Sequence, residues 1–157
     1  MRLSSYTDYA LRTLVYLALK PDGLATINDV AQIYGISKNH LMKVVHQLSQ
    51  LGYVEAVRGR GGGLRLGRKA EDIRVGEVVR ATEQELDLLE CFGDADPEFC
   101  RLSPTCVLKS ALKEALQAFL AVLDDYTLAD LVKPRRTLVS LLGLPQLTPP
   151  GGAQSAT

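Results

Sequence analysis

The sequence predicts a mainly α-helical fold with one small β-hairpin, and three observations carry that expectation. Two short helical segments are separated by Tyr34-Gly35-Ile36. Two strand-like runs then flank a glycine-rich turn, and an apolar stripe at helical spacing extends from Leu108 to Leu123. A length of 157 residues suits a single domain with a modest core and a helical appendage. Apolar residues at 46% and charged residues at 23% exclude a disordered polymer, and no apolar run is long enough for a bilayer span. Met1-Arg2-Leu3-Ser4-Ser5-Tyr6 lacks the apolar core of a secretory signal, so a cytoplasmic chain is expected.

The first helix is expected from Ser5 to about Leu19, with Tyr6, Tyr9, Ala10, Leu14, Leu17 and Ala18 on one stripe and Pro21 and Gly23 ending it. Thr26-Ile27-Asn28-Asp29 resembles a capping box with Asp in the usual Glu position, and it opens a short helix through Val30, Ala31 and Ile33. Gly35 stands where a helix-ending glycine belongs. Ser37 is expected to cap a third helix with Leu41, Val44, Val45, Leu48 and Leu51 inward, closed by Gly52. Two short helices at this spacing have the size of a helix-turn-helix, whose second member enters the major groove of DNA.

Tyr53-Val54-Glu55-Ala56-Val57 and Leu64-Arg65-Leu66 form the hairpin around Arg58-Gly59-Arg60-Gly61-Gly62-Gly63. Glycine lets the backbone approach a phosphate or a narrow minor groove, whose negative potential attracts Arg58 and Arg60. The combination reads as a winged helix-turn-helix. Ser37, Lys38, Asn39, His40 and Lys43 on the reading helix are the expected DNA contacts, with Arg58, Arg60, Gly61 and Gly62 on the wing. Charge supports that placement. Residues 1–80 carry 12 Lys/Arg against 7 Asp/Glu, whereas residues 81–157 carry 6 against 11. A net charge of zero therefore conceals a basic half suited to a polyanion and an acidic half that DNA would repel.

Ile73, Val75, Val78 and Val79 fit a short helix docking back on the first domain. Beyond it lies an acidic stretch holding all three cysteines, Cys91, Cys100 and Cys106, spaced C-x8-C-x5-C. An odd, clustered set makes a poor disulfide framework, and it lacks the tight pairs and fourth ligand of structural zinc. Three irregularly spaced thiolates suit an iron–sulfur cluster that draws another donor from elsewhere. Ser103-Pro104 reads as a helix start, which puts Cys106 in a first turn whose dipole favours a thiolate. The stripe Leu108, Ala111, Leu112, Ala115, Leu116, Phe119, Leu120 and Leu123 needs a surface to bury against, and a two-fold partner is the economical one. The expected division is thus a DNA-binding domain at 1–80, a cluster loop at 81–106, a dimerisation helix with short helices at 107–142, and a disordered tail at 143–157.

With those motifs in view, the chain resembles the Rrf2 family of winged-helix iron–sulfur repressors, and within it the nitric-oxide-sensing branch. The likeness runs from Met1 to about Val132. It rests on Leu3 to Arg12, the wing Val54 to Gly67, the three cysteines, Asn39-His40, and Tyr126-Thr127-Leu128-Ala129-Asp130-Leu131. The resemblance implies a homodimeric repressor on a palindromic operator, with nitric oxide as signal. It implies one cluster per subunit, 4Fe–4S first and 2Fe–2S as the alternative, held by Cys91, Cys100, Cys106 and Asp8 from the partner subunit. Another branch uses a histidine three residues past its last cysteine, where this chain has Lys109.

Other readings are an iron- or redox-responsive regulator of the same family, and a zinc or thiol switch without iron. An enzyme is not expected, because His40 and His46 both fall in the reading helix and no Cys–His–Asn/Asp framework accompanies them.

Overall fold

Ser4 starts the first helix by accepting the Thr7 N–H on its hydroxyl, and α1 spans Ser5–Leu19. Ala10, Leu14, Tyr16, Leu17 and Leu19 are buried, which makes α1 the central rod of the core. These relations come from a computed structural model that describes residues 2–20, 23–89, 92, 100, 102 and 105–145.

α2 (Ile27–Tyr34) begins with the expected capping box, Thr26 and Asp29 each accepting the other's backbone N–H. Gly35 ends it at φ +62°, a left-handed conformation that a Cβ would strain. α3 (Lys38–Gln50) follows, burying Leu41, Val44, Val45 and Leu48. Ser37 occupies the cap position of α3, but its side chain makes no cap hydrogen bond. Gly52 at φ +75° closes α3, with its N–H donating to Ser49 O and the Tyr53 N–H to Leu48 O. That 6→1 and 5→2 pair is a Schellman motif, and it turns the chain directly into the hairpin.

β1 (Val54–Val57) pairs antiparallel with β2 (Gly63–Leu66), Val54 opposite Leu66 and Val57 opposite Gly63. Ala25 and Leu64 exchange backbone hydrogen bonds at 2.9 and 2.7 Å, fastening the wing to the linker before α2. A 3₁₀ turn at Ala70–Asp72 then leads to α4 (Val75–Thr82), which buries Val75, Gly76, Val78 and Val79 against the domain as expected.

α5 (Val107–Asp124) is the long helix, and none of its 18 residues is buried within the chain. Its start corrects one expectation: Cys106 is not in the first turn but is itself the N-cap, and Ser103 and Pro104 lie outside the described residues. After α5 the chain returns to the winged domain. Val75 N–H donates to Tyr126 O and Leu128 N–H to Ile73 O, so residues 126–128 lie beside 73–75 like a short extra strand. α6 (Leu128–Leu131) inserts Leu128, and α7 (Arg135–Leu141) contributes Val139. The Arg135 guanidinium donates to Ala18 O and Leu19 O, capping the end of α1 that carries no basic residue of its own.

Two expected boundaries move as a result. The short C-terminal helices share one core with residues 1–80 rather than forming a unit with α5. Of the segment expected as a tail from residue 143, Gly143 turns at φ +60° and Leu144 is buried with its N–H on Val139 O. Residues 146–157 lie outside the described residues.

Candidate nucleic-acid interface and thiol segment

α3 turns one face to the core and leaves Lys38, Asn39, His40, Met42, Lys43 and His46 exposed on the other. Met42, 49% exposed, puts a thioether among the amide, imidazole and ammonium groups. Such a strip offers donors and acceptors for base edges and phosphates together with one apolar contact. Ser37 is exposed just before it. His40 is not wholly free, since its ring stacks on Tyr9 of α1 at 6.4 Å between centroids. Tyr6, also on α1, donates its hydroxyl to Lys43 O at 3.1 Å. Burial raises the Tyr6 phenol above its ordinary pKa, so it remains a donor.

The wing separates its cations into two kinds. Arg65 pairs with Glu55 across the strands at 3.0 Å, and Arg68 donates to Leu51 O at 2.7 Å while lying over the Tyr53 ring. Arg58 and Arg60 are exposed, and among the described residues neither has a hydrogen-bond or ion-pair partner. The glycines between them are structural requirements. Gly59 and Gly61 sit at φ +106° and +76°, and a Cβ on Gly62 would collide with Val57 O. Two uncommitted guanidinium groups therefore stand on a tip that only glycine can build. With the strip on α3, they make the arrangement expected of a helix for the major groove and a wing for the minor groove.

The structure describes only part of the thiol set expected from the sequence. Cys91 lies outside the described residues, whereas Cys100 and Cys106 are free thiols, both half-buried. Cys106 Sγ accepts the Lys109 N–H at 3.4 Å, so the sulfur sits on the positive end of α5. Asp8 is on α1, where it pairs with Arg12 at 2.9 Å, and Arg12 also lies 5.7 Å from the Tyr34 ring centroid. No group of three or more metal-binding side chains is assembled among the described residues. Two half-buried thiols, one held at a helix N-terminus, and a half-exposed carboxylate are donors of the kind a thiolate-rich metal centre requires.

One polar site escaped the sequence reading. Glu83, expected only as part of an acidic run, accepts from Ser4 N–H at 3.1–3.2 Å and from Thr7 Oγ1 at 2.6 Å. The available signal was the start of α1 itself. Ser4 is a good cap, but the N3 position holds Thr7 instead of the acid that completes a capping box, so an acid from elsewhere was needed.

The Rrf2 family model, described as an iron-dependent transcriptional regulator, matches residues 3–134. The chain is 57% identical over 143 residues to the HTH-type transcriptional regulator NsrR of Bacillus subtilis (strain 168), covering 90% of this chain and 97% of that protein. Among solved structures it resembles IscR of T. potens, with TM-score 0.68 and 28% identity over 85% of this chain and 88% of that one. It also resembles CymR, the global cysteine regulator of B. subtilis, with TM-score 0.61 and 27% identity over 85% of this chain and 98% of that one. No described helix is long and apolar enough to cross a membrane.

Proposed function

The chain belongs to the Rrf2 family of DNA-binding transcriptional regulators, and from that premise we propose that it is a homodimeric repressor whose operator binding is controlled by an iron–sulfur cluster sensing nitric oxide. Cys106 carries the reading, because its half-buried sulfur already accepts a hydrogen bond at the head of α5 and is placed to be a ligand. Cys91, Cys100 and Cys106 would hold the cluster, with Asp8 of the partner subunit as the oxygen donor. When bound, the group supplies irons that nitric oxide attacks.

The chain's own residues do the rest. α5 offers Leu112, Leu116, Phe119, Leu120 and Leu123, all only half-covered, to a second copy across a two-fold axis. That symmetry presents two α3 helices to palindromic half-sites about 34 Å apart. Ser37, Lys38, Asn39, His40 and Lys43 face the major groove, while Arg58 and Arg60, on Gly61 and Gly62, face the minor groove. An Asp8 ligand from the partner ties the sensing segment of one subunit to the reading head of the other.

Iron and acid-labile sulfide per chain, measured on protein purified without oxygen, test the reading. About four of each supports a 4Fe–4S centre, and about two of each keeps the sensor with a different ligand set. Operator release titrated in parallel with nitric oxide and with an iron chelator then separates it from an iron-responsive regulator, which would release DNA at chelator levels that leave a nitric-oxide sensor bound. Zinc, or no metal, sinks the proposal in favour of a thiol or zinc switch.

A further inference from the structure

The acidic segment leaves the winged domain after residue 83, and the last three residues of that domain are bonded to both helices that set the reading geometry. Ala81 O accepts from Gln47 Nε2 at 2.8 Å, and Gln47, half-buried, lies one turn beyond Lys43 on α3, at the flank of the exposed strip. Thr82 is buried, its hydroxyl donating to Val78 O at 2.8 Å and lying 3.1 Å from Thr7 Oγ1. The Glu83 carboxylate takes the Ser4 N–H, the Thr7 hydroxyl at 2.6 Å and the Ser4 hydroxyl at 3.1 Å. Ser4 in turn accepts the Thr7 N–H. The capping box of α1 is thus completed by an acid 79 positions away, at the root of the segment that holds the cysteines.

A carboxylate with several charge-assisted bonds at a helix N-terminus is a stiff attachment, and it tolerates little displacement before the bonds fail. From α1 the path continues to α3, through Tyr6 to Lys43 O and through the Tyr9–His40 stack. We propose that Glu83 and Gln47 are positioning residues of a joint that passes the state of segment 84–106 to the reading helix within one chain. This rests on the reading of that segment as a sensor, but it requires neither a particular cluster nor the ligand role of Asp8. A dimer would then couple sensor and reader by two routes, one across the subunit interface and one inside each subunit.

The test uses full-length Glu83→Gln and Gln47→Met, which keep side-chain size and remove one charge or one donor. The first readout is the ratio of DNA affinities of cluster-loaded and metal-free protein, on DNA selected from a random pool by the wild type. Each variant should lower that ratio by about tenfold at unchanged iron per chain, a coupling of ordinary size. A lower melting temperature with an unaltered ratio would make Glu83 a plain helix cap and overturn the proposal.

The second readout needs no metal. Glu83→Gln should speed amide exchange over residues 5–9 and 43–47 together, and acceleration confined to α1 refutes the joint. A wild type whose DNA affinity ignores the cluster sinks the sensing function, and the exchange experiment then decides the joint alone.

Discussion

Replacing Gly76 with Ala sets two effects of opposite sign against each other. Ala is the better helix former, and the exchange, worth up to about 1 kcal/mol inside a helix, favours α4 by no more than that at Gly76, the second residue of the helix. Gly76, however, lies where α4 meets the last turn of α5. A Cβ there would overlap the Asp124 carboxylate and lie 3.0 Å from the Asp124 backbone nitrogen. The carboxylate can swing away only by giving up Arg80 at 2.5 Å, a half-exposed pair worth no more than about 1 kcal/mol. The backbone cannot yield without moving α5, whose end is also held by Arg74 Nη1 on Asp124 O at 2.9 Å. Overpacking of this kind costs about 1–3 kcal/mol. The clash should win, leaving a net loss of about 1–2 kcal/mol and a melting temperature lower by roughly 3–6 °C for a chain of this size. Circular-dichroism melts of metal-free protein at one fixed chain concentration measure it, since assembly shifts apparent stability. Arg80→Ala alone supplies the ion-pair part. A Gly76→Ala protein as stable as the wild type would refute the close packing of α4 on α5.

Arg58→Ala should weaken binding to selected DNA more than to random DNA, as competition binding would show. A uniform loss with a salt slope reduced by about one would make it a phosphate contact. Cys100→Ala should remove iron, measured colorimetrically, while leaving the circular-dichroism spectrum unchanged, and full iron in that variant would strike Cys100 from the ligand set. The Asp130 carboxyl is held well below the usual carboxylate range, first by Lys133 and then by the Thr127 N–H and hydroxyl. A depressed folded-state pKa gives stability that is present above the unfolded value of about 3.9 and lost as pH falls through the folded one. Asp130→Asn should therefore flatten the decline in melting temperature below about pH 4, and an unchanged acid limb would show that the cap on α6 carries no linkage.

The parts of the fold that were legible in the sequence are those specified locally. Thr26, Asp29, Gly35 and Gly52 fix α2 and the ends of the helix-turn-helix by capping chemistry confined to a few residues. The wing tip is legible for the same reason, because Gly59 and Gly61 occupy left-handed positions and Gly62 has no room for a Cβ. What escaped is what depends on distant partners. Nothing near Leu128 announces that it fills the core beneath α1, and Arg135 cannot be assigned to the end of α1 without the tertiary fold. The start of α5 was placed too early because its cap is Cys106, and a sulfur acceptor is a weak signal to read locally. Glu83 was hidden by its neighbours, since an acid inside an acidic run reads as a solvated face.

The carboxylates of the chain differ in how readily they can be given up, and that bears on which one can serve a partner subunit. Asp124 is wedged against Gly76 and paired to Arg80, Asp130 holds both the Thr127 cap and Lys133, and Glu83 completes the start of α1. Each would leave a broken joint behind. Among the described residues the Asp8 carboxylate pairs with Arg12 alone, the two side chains being 44% and 47% exposed, an arrangement worth roughly 0–1 kcal/mol. If it departs, Arg12 keeps the Tyr34 ring. On the proposed function, a hundredfold change in operator affinity requires about 2.7 kcal/mol of differential stabilisation. A carboxylate whose release costs so little leaves nearly all of a new inter-subunit bond for that purpose. Asp8→Ala should accordingly leave the melting temperature of metal-free protein within about 3 °C of wild type while reducing the response of DNA binding to nitric oxide. A full cluster with an unaltered response would remove Asp8 from the ligand set and leave the coupling to the route through Glu83.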